Sequence, residues 1–309
     1  MINIIKIKNS NIYTKTLIIF LLIIILIFFK NLFFTNSYKE NYQNYTLKQL
    51  SSNYEINDIY DDFYANVYDD LYYDENRIDF EISHIKNLIN NNKYFSKLVD
   101  LGCGTGHLVG TLNDLNINSI GVDISPHMVN KANDYYKNNN FKNADIMDNM
   151  LFEGSSINII TCLYFTIYYI KDKLYFLRNC YNWLLPNGYF VLHLSEKDNF
   201  NLQIKDDSNL NIYDLYNKNN NNNNKVIYFD NYKYKTKFEL KNDEGIFNET
   251  FEDIKHNKIR VNNHKLNIVS IREILFLCSK IGFKYVNKIN MGDCNYENQY
   301  LYIFKKFIY

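Results

Sequence analysis

The sequence predicts an α/β fold: a largely parallel sheet with helices on both faces, an antiparallel β insert and an N-terminal hydrophobic helix. Three observations predict it. Short apolar runs alternate with helical patterns from Lys97 to Ser195, as strands buried on both faces require. Beyond Asn199 the pattern changes to period-two alternation, the mark of antiparallel strands. Near the start stands TLIIFLLIIILIFFKNLFF, Thr16 to Phe34, which is almost pure hydrocarbon.

The strictly apolar core of that run, Leu17 to Phe29, is shorter than the roughly 18 residues of a spanning helix. Extension through Leu32–Phe34, with Lys30 snorkelling, gives the length. We read residues 1–35 as a single-pass membrane anchor. A signal peptide is the rival, for which the following Thr35-Asn36-Ser37 is a poor cleavage site. Lys6, Lys8 and Lys15 precede the run and Lys30, Lys39 and Lys48 follow it, so charge leaves the orientation open. Residues 36–57 are polar and aperiodic, a tether; residues 58–309 form the main domain.

Within that domain Ile78, Ile82, Ile85, Leu88 and Ile89 recur at helical spacing. KLVDL is a buried strand, HLVGTLNDL a helix and SIGVD a strand. SPHMVNKANDYYKNN is a helix with Ser125 as N-cap and Pro126 in the first turn. FKNAD and INIITCLYF are strands; LYFLRNCYNWLL is a helix that stops before the turn Pro186-Asn187-Gly188; YFVLHLS is a strand. An insert over 200–268 carries a low-complexity loop, Asn217 to Lys225, and the strands VIYFD, YKYKTKFEL and IFNETFEDI. IREILFLCSKIGF is a helix ending at Gly282, and YVNKIN with YLYIFKK forms a closing hairpin.

The chain has 309 residues, formal net charge zero and 47% hydrophobic residues. A neutral balance argues against nucleic-acid binding. Asn, Ile, Tyr and Lys are abundant, a compositional bias that lowers the functional weight of any single Asn or Tyr. Cys103, Cys162, Cys180, Cys278 and Cys294 include no CxxC and no His at zinc-ligand spacing, so no metal is expected. Their odd number and wide spacing favour free thiols and a cytosolic main domain.

LVDLGCGTGHL carries the chemistry. Gly102, Gly104 and Gly106 read GxGxG; a dinucleotide loop would place its third glycine at His107. The lysine and spacing of GxxxxGK[ST] are missing. Asp100 ends the strand before the loop, where it repels a pyrophosphate and attracts a cation. Asp123 ends the second strand, where a carboxylate can accept from both ribose hydroxyls. Asp145 ends the third, where it can accept from an adenine amino group. The site asks for a cationic, phosphate-free adenosine derivative.

These features, in this order, resemble the class I S-adenosylmethionine-dependent methyltransferases from Tyr60 to the C-terminus. VDLGCGTG is similar to their first motif, GVDIS to the second, NADIMD to the third and INIITCLYFTIYYI to the fourth. LLPNGYFVLHL is similar to their strand-5 motif, and DDFYANVYD resembles the tyrosine-rich leading segment of small-molecule members. The composition with ITCLYFTIYYI resembles uncharacterised members from large DNA viruses. The resemblance implies a Rossmann-like seven-stranded sheet with the last strand antiparallel, and S-adenosyl-L-methionine as cofactor. It implies a donor site of Tyr64, Tyr68, Asp100, Gly102, Cys103, Gly104, Gly106, Asp123, Ile124, Asp145, Ile146, Cys162 and Leu163, with the methyl above Cys162, Leu163 and Tyr164.

Plainer readings stand beside these. Asp100 can bond loop amides while facing the ligand. Tyr64, Tyr68, Tyr164 and Tyr168, each alone, read as packing, and Cys103 and Cys162 as small core residues. His107 reads as a helix start, and His193 at the end of the fifth strand as a hydrogen-bonded histidine. No catalytic base is assigned. The expected function is methyl transfer to a small molecule, with a lipid acceptor open because of the anchor. The rivals are a tethered non-catalytic module and an NAD-dependent oxidoreductase, the latter disfavoured by Asp100 and His107.

Overall fold

Asn53–Tyr54 (β1) is followed by three helices: Ile56–Ile59 (α1), Asp62–Tyr72 (α2) and Glu75–Asn90 (α3). β1 pairs with Val261 and Asn262 of the insert, so Asn53, Tyr54, Ile56 and Asn57, expected in the tether, belong to the folded part, which starts before residue 58. The structure, a computed structural model, describes residues 20–21, 53–54, 56–90, 94–137, 140–200, 202, 224–229, 231–256 and 258–307. The apolar run Leu17–Phe29 lies outside these residues except for Phe20 and Leu21, which are helical, and residues 217–223 of the Asn-rich stretch lie outside them too. No helix among the described residues is long and apolar enough to cross a membrane. The chain divides into two units, Met1–Lys48 and Gln49–Tyr309, and the second holds the sheets and helices of the site.

Strands and helices then alternate as the sequence predicts. Leu98–Leu101 (β2), His107–Asp114 (α4), Ser119–Asp123 (β3), Pro126–Tyr135 (α5), Asn140–Asn143 (β4) and Ile157–Cys162 (β5) come first. Thr166–Tyr169 (α6), Lys173–Trp183 (α7) and Leu184–Ser195 (β6) complete the parallel part. Ser125 caps α5 by accepting from the Met128 amide, with Pro126 in the first turn. The insert contributes Asn224–Tyr228 (β7), Tyr232–Lys241 (β8), Glu244–Asp253 (β9) and Ile259–Asn267 (β10). Ile271–Ile281 (α8) ends at Gly282 with φ +112°, and Phe283–Asn290 (β11) pairs with Gln299–Lys306 (β12) as the closing hairpin.

The main sheet has seven strands in the order β4-β3-β2-β5-β6-β12-β11. All run parallel except β12, which is antiparallel to both of its neighbours. Strand alternation feeds two cores. Phe190, Leu192 and Leu194 of β6 pack with Phe176 and Leu177 of α7 and Ile274 of α8. Val191, Leu98 and Ile159 join Ile82 and Ile85 of α3 and Leu112 of α4. Each such buried side chain contributes about 1.5–3 kcal/mol. The predicted Ile78, Ile82, Ile85 stripe is the buried face of α3.

The second sheet orders its five strands β1-β10-β9-β8-β7. β10 was not foreseen, because its pattern is inverted. Arg260, Asn262 and His264 point inward and are buried, while Ile259 is exposed. Each inward polar group has a partner. Arg260 places both Nη1 bonds on the Asp61 carboxylate (2.9 and 2.8 Å) and donates from Nη2 to the Ile59 carbonyl (2.8 Å). From the other side Lys173, buried, donates to Ile170 O, Asn267 O and Asn267 Oδ1 at 2.7, 2.8 and 2.8 Å. The insert is thereby fixed to α1, α2 and the β5–α7 segment.

Candidate active site

The loop between β2 and α4 holds its three glycines at positive φ: +79° at Gly102, +55° at Gly104 and +83° at Gly106. The Gly102 and Cys103 amides donate to the Val122 carbonyl at 2.8 and 3.0 Å, which pins the loop to β3. A Cβ on Gly102 would stand 2.5 Å from Thr166 Oγ1, so this glycine lets α6 approach the loop. A Cβ on Gly106 would stand 2.6 Å from the Phe141 ring, so that one serves helix–sheet packing.

A cavity of about 1190 Å³ opens at the carboxyl ends of β2, β3 and β5, where open α/β sheets bind ligands. Tyr68, Asp100, Gly102, Cys103, Gly104, Asp123, Ile124, Asp145, Ile146 and Leu163 line it, as the sequence reading expects. Tyr64, Gly106 and Cys162 do not. The Tyr64 hydroxyl turns away and donates to Glu249 at 3.0 Å. Cys162 is buried in the core under the sheet, and Gly106 faces α5 and β4.

Asp123 is the hub of the loop. Its Oδ2 accepts from the Gly104 amide and its Oδ1 from the Ser125 amide, each at 2.9 Å. Each oxygen keeps a second lone pair for a ligand hydroxyl. Burial raises its pKa against the pull of these amides. Asp100 is buried, and its Oδ1 accepts from the Thr161 hydroxyl at 2.7 Å; the loop amides are satisfied elsewhere, which corrects the expectation that Asp100 bonds them. Burial pushes its carboxyl up to about 7, with Thr161 pulling the other way. Asp145 needs a second correction: β4 ends at Asn143, and Asp145 closes the turn beyond it, accepting from the Met147 amide at 2.8 Å. It is exposed at the rim.

Two further wall residues escaped the sequence reading. Arg77 and Glu81, both buried on α3, pair at 3.0 Å and line the cavity. Burial raises the Glu81 carboxyl while Arg77 opposes it. Arg77 lies 4.2 Å over the Tyr164 ring, and its buried Nε has no hydrogen-bond partner among the described residues. A signal existed: Arg77 is the only Lys or Arg between Lys48 and Lys86.

The histidines divide. His107 does more than start α4: its Nε2 faces Asp69 Oδ2 at 2.9 Å and its Nδ1 the Tyr136 hydroxyl at 2.7 Å. With Thr105 donating to Asp69 Oδ1 at 2.6 Å, it clamps α2 to the glycine loop. His193 is buried; its Nδ1 accepts from the Tyr164 amide (3.1 Å) and its Nε2 faces Gln299 Oε1 (2.9 Å). Burial holds it neutral, down at about 3. Tyr168 is a packing residue whose hydroxyl donates to the Ser195 carbonyl at 3.2 Å. All five cysteines are free thiols.

Residues 93–256, more than half of the chain, match the family described as methyltransferase domain. The chain belongs to that methyltransferase family. Among solved structures the methyltransferase is similar to an S-adenosylmethionine-dependent methyltransferase from Clostridium acetobutylicum ATCC 824, at 20% identity over 80% of this chain and 98% of that one, with a TM-score of 0.59. It is similar to the sugar N-methyltransferase KedS8 from Streptoalloteichus sp ATCC 53650 at 15% identity over 86% and 98%, with a TM-score of 0.60. It is also similar to CalS10, an amino pentose methyltransferase from Micromonospora echinaspora solved with S-adenosylmethionine bound, at 13% identity over 74% and 91%, with a TM-score of 0.54. At these identities the likeness is one of fold. No curated protein sequence matches the chain.

Proposed function

We propose that this methyltransferase takes its methyl group from S-adenosyl-L-methionine and delivers it to a small-molecule acceptor. One observation carries the reading: among the described residues the wall of the cavity holds eight carboxylates against only Arg77 and Lys171 as Lys or Arg. Such a wall suits a cationic ligand without phosphate. The residues also fit the donor's parts. Asp123 would hold the ribose hydroxyls, and Ile124, Ile146 and Met147 would flank the base. The unpartnered Arg77 Nε fits the amino-acid carboxylate. Asp100 and Glu81, both raised by burial, gain most from a nearby cation.

When bound, the donor supplies a methyl group already activated on a sulfonium sulfur. The chain's own task is to align the acceptor and exclude water. Tyr68, Tyr72, Tyr164 and Tyr169 wall the cavity. No described residue of the insert lines it; the insert holds Tyr72 and Tyr169 from behind through Glu249 and His264. Names of similar structures that act on sugars support a small acceptor. Tethering through the apolar run 17–29 is the further part of the reading, and it leaves room for a membrane-borne acceptor. Calorimetry tests the donor: S-adenosylmethionine and S-adenosylhomocysteine bind and NAD does not. Tight NAD binding without S-adenosylmethionine binding would overturn the proposal.

A further inference from the structure

One carboxylate of the insert gathers five donors. Glu249, on β9 and fully buried, accepts on Oε1 from the hydroxyls of Tyr64 (3.0 Å), Tyr72 (2.7 Å) and Tyr234 (2.5 Å). Its Oε2 accepts from Asn262 Nδ2 (3.0 Å) and faces His264 Nε2 at 2.7 Å. Burial would push this carboxyl up, but His264 and the other donors outweigh it and hold it at about 2. Glu249 is therefore an anion. An anionic partner fixes the neutral His264 tautomer: Nε2 carries the hydrogen and Nδ1 is left as an acceptor. Nδ1 lies 2.8 Å from the Tyr169 hydroxyl. Tyr169 ends α6, just beyond β5, and lines the cavity, which His264 and Glu249 do not. The row Glu249, His264, Tyr169 runs from the dry interior of the insert to the cavity wall.

We propose that Tyr169 is the catalytic residue that receives a proton from the methyl acceptor, with His264 and Glu249 as its positioning residues, and that the acceptor is an amine arriving as its ammonium. The inference rests on the methyltransferase reading above and names the acceptor class for that site. The acidic wall that suits a cationic donor also draws an ammonium, and the tyrosine rings beside it offer cation–π faces. An ammonium has no lone pair and must lose a proton before it can attack. That proton passes to the Tyr169 oxygen while the Tyr169 proton passes to His264 Nδ1, leaving an imidazolium against the Glu249 anion. The freed nitrogen lone pair forms the N–CH3 bond, and the S–CH3 electron pair stays on sulfur. After product leaves, His264 Nδ1 returns its proton to the Tyr169 oxygen while the Tyr169 proton passes to water in the emptied cavity, which restores the neutral pair.

The groups facing the imidazole are Tyr60 and Tyr64 from the N-terminal helices, Tyr169 from α6, and Glu249 from β9. Burial raises all three phenols, so they stay neutral and Glu249 is the charge the ring meets.

The test uses the full chain, methyl-carbon-13 S-adenosylmethionine and the small-molecule fraction of a cell extract. Labelled products are expected to be N-methyl by carbon shift. Tyr169→Phe and His264→Asn should each lower kcat by about 100-fold or more with S-adenosylhomocysteine affinity unchanged. Raising the pH, which deprotonates the acceptor amine in solution, should recover part of the lost rate in Tyr169→Phe and His264→Asn. Nitrogen-15 spectra of labelled histidine should show His264 hydrogenated at Nε2, with the Nδ1 resonance moved by Tyr169→Phe. A merely structural network would lower Tm and leave the variants' rates unrescued at high pH, which overturns the proposal. O-methyl products alone, or no labelled product although S-adenosylhomocysteine binds, overturn it and leave the donor reading standing. Failure to bind either donor form overturns both.

Discussion

Arg77 and Glu81 stand one turn apart on α3 with Nη1 and Oε1 at 3.0 Å, both buried on the wall of the cavity at the strand ends. Removing one partner leaves the other charge without compensation. Arg77→Ala should cost about 3–5 kcal/mol of stability. Arg77→Lys keeps the charge but not the planar fork, so it should fold and still weaken S-adenosylhomocysteine binding by about tenfold or more. Thermal unfolding and calorimetry on the same samples read both effects; full affinity in Arg77→Lys removes Arg77 from the donor site.

Asp123 holds the glycine loop with the same carboxylate that is proposed to take the ribose. Asp123→Ala frees the Gly104 and Ser125 amides that it holds at 2.9 Å. The loss should be about 1–3 kcal/mol, with secondary structure retained in circular dichroism. Donor affinity should fall by about 100-fold or more, because ribose recognition and loop shape go together. Unchanged affinity would show that the ribose is held elsewhere.

Asp100 gives the site a pH dependence. Its folded pKa, up at about 7 through burial, exceeds the ordinary 3.8. Between those values the folded chain holds a proton that the unfolded chain has lost, so this group's contribution to stability falls as pH rises through the window. The fall has an upper bound on the order of 4 kcal/mol. A cationic donor favours the carboxylate, so binding near pH 6 should release a proton and affinity should rise up to about pH 7. Calorimetry in buffers of different ionisation enthalpy measures the release, and Asp100→Asn should abolish it.

What the sequence shows of this molecule follows from which residues obey simple periodicity. The parallel strands are legible because β2 and β5 are short, mostly apolar runs that are buried at every position. The glycine loop is legible because positive φ leaves few choices of residue. β10 is not, because Arg260, Asn262 and His264 occupy its inward positions, and their partners are Asp61, far away in the sequence, and Glu249, itself a carboxylate at an inward position of the neighbouring strand. The same long-range pairing hides the Glu249–His264–Tyr169 row. Asp145 misleads for a local reason: a turn-forming Asp directly after a strand pattern looks like the strand's end.

Gly106 separates packing from binding. It has φ +83°, and an added Cβ would meet the Phe141 ring at 2.6 Å and Ala132 Cβ at 2.7 Å. Gly106→Ala should destabilise the fold by about 1–3 kcal/mol. Because Gly106 does not line the cavity, the folded fraction should bind S-adenosylhomocysteine with affinity within about threefold of the parent chain. A large affinity loss at unchanged Tm would put Gly106 on the ligand instead.

The boundary between the two units sets the last prediction. The second unit begins at Gln49, and β1 at Asn53–Tyr54 pairs with β10 through Val261 and Asn262. A chain starting at Gln49 keeps that pairing and the whole cavity wall, so it should fold and bind S-adenosylhomocysteine as the full chain does. A chain starting at Asp58 loses β1 and half of α1, exposing an edge of β10 beside the Arg260–Asp61 pair, and should melt at lower temperature. The apolar run from Leu17 to Phe29 is present only in the full chain. Flotation with phospholipid vesicles should carry the full chain upward and leave the Gln49 chain behind. Equal flotation of the two would remove the membrane anchor from the proposed function.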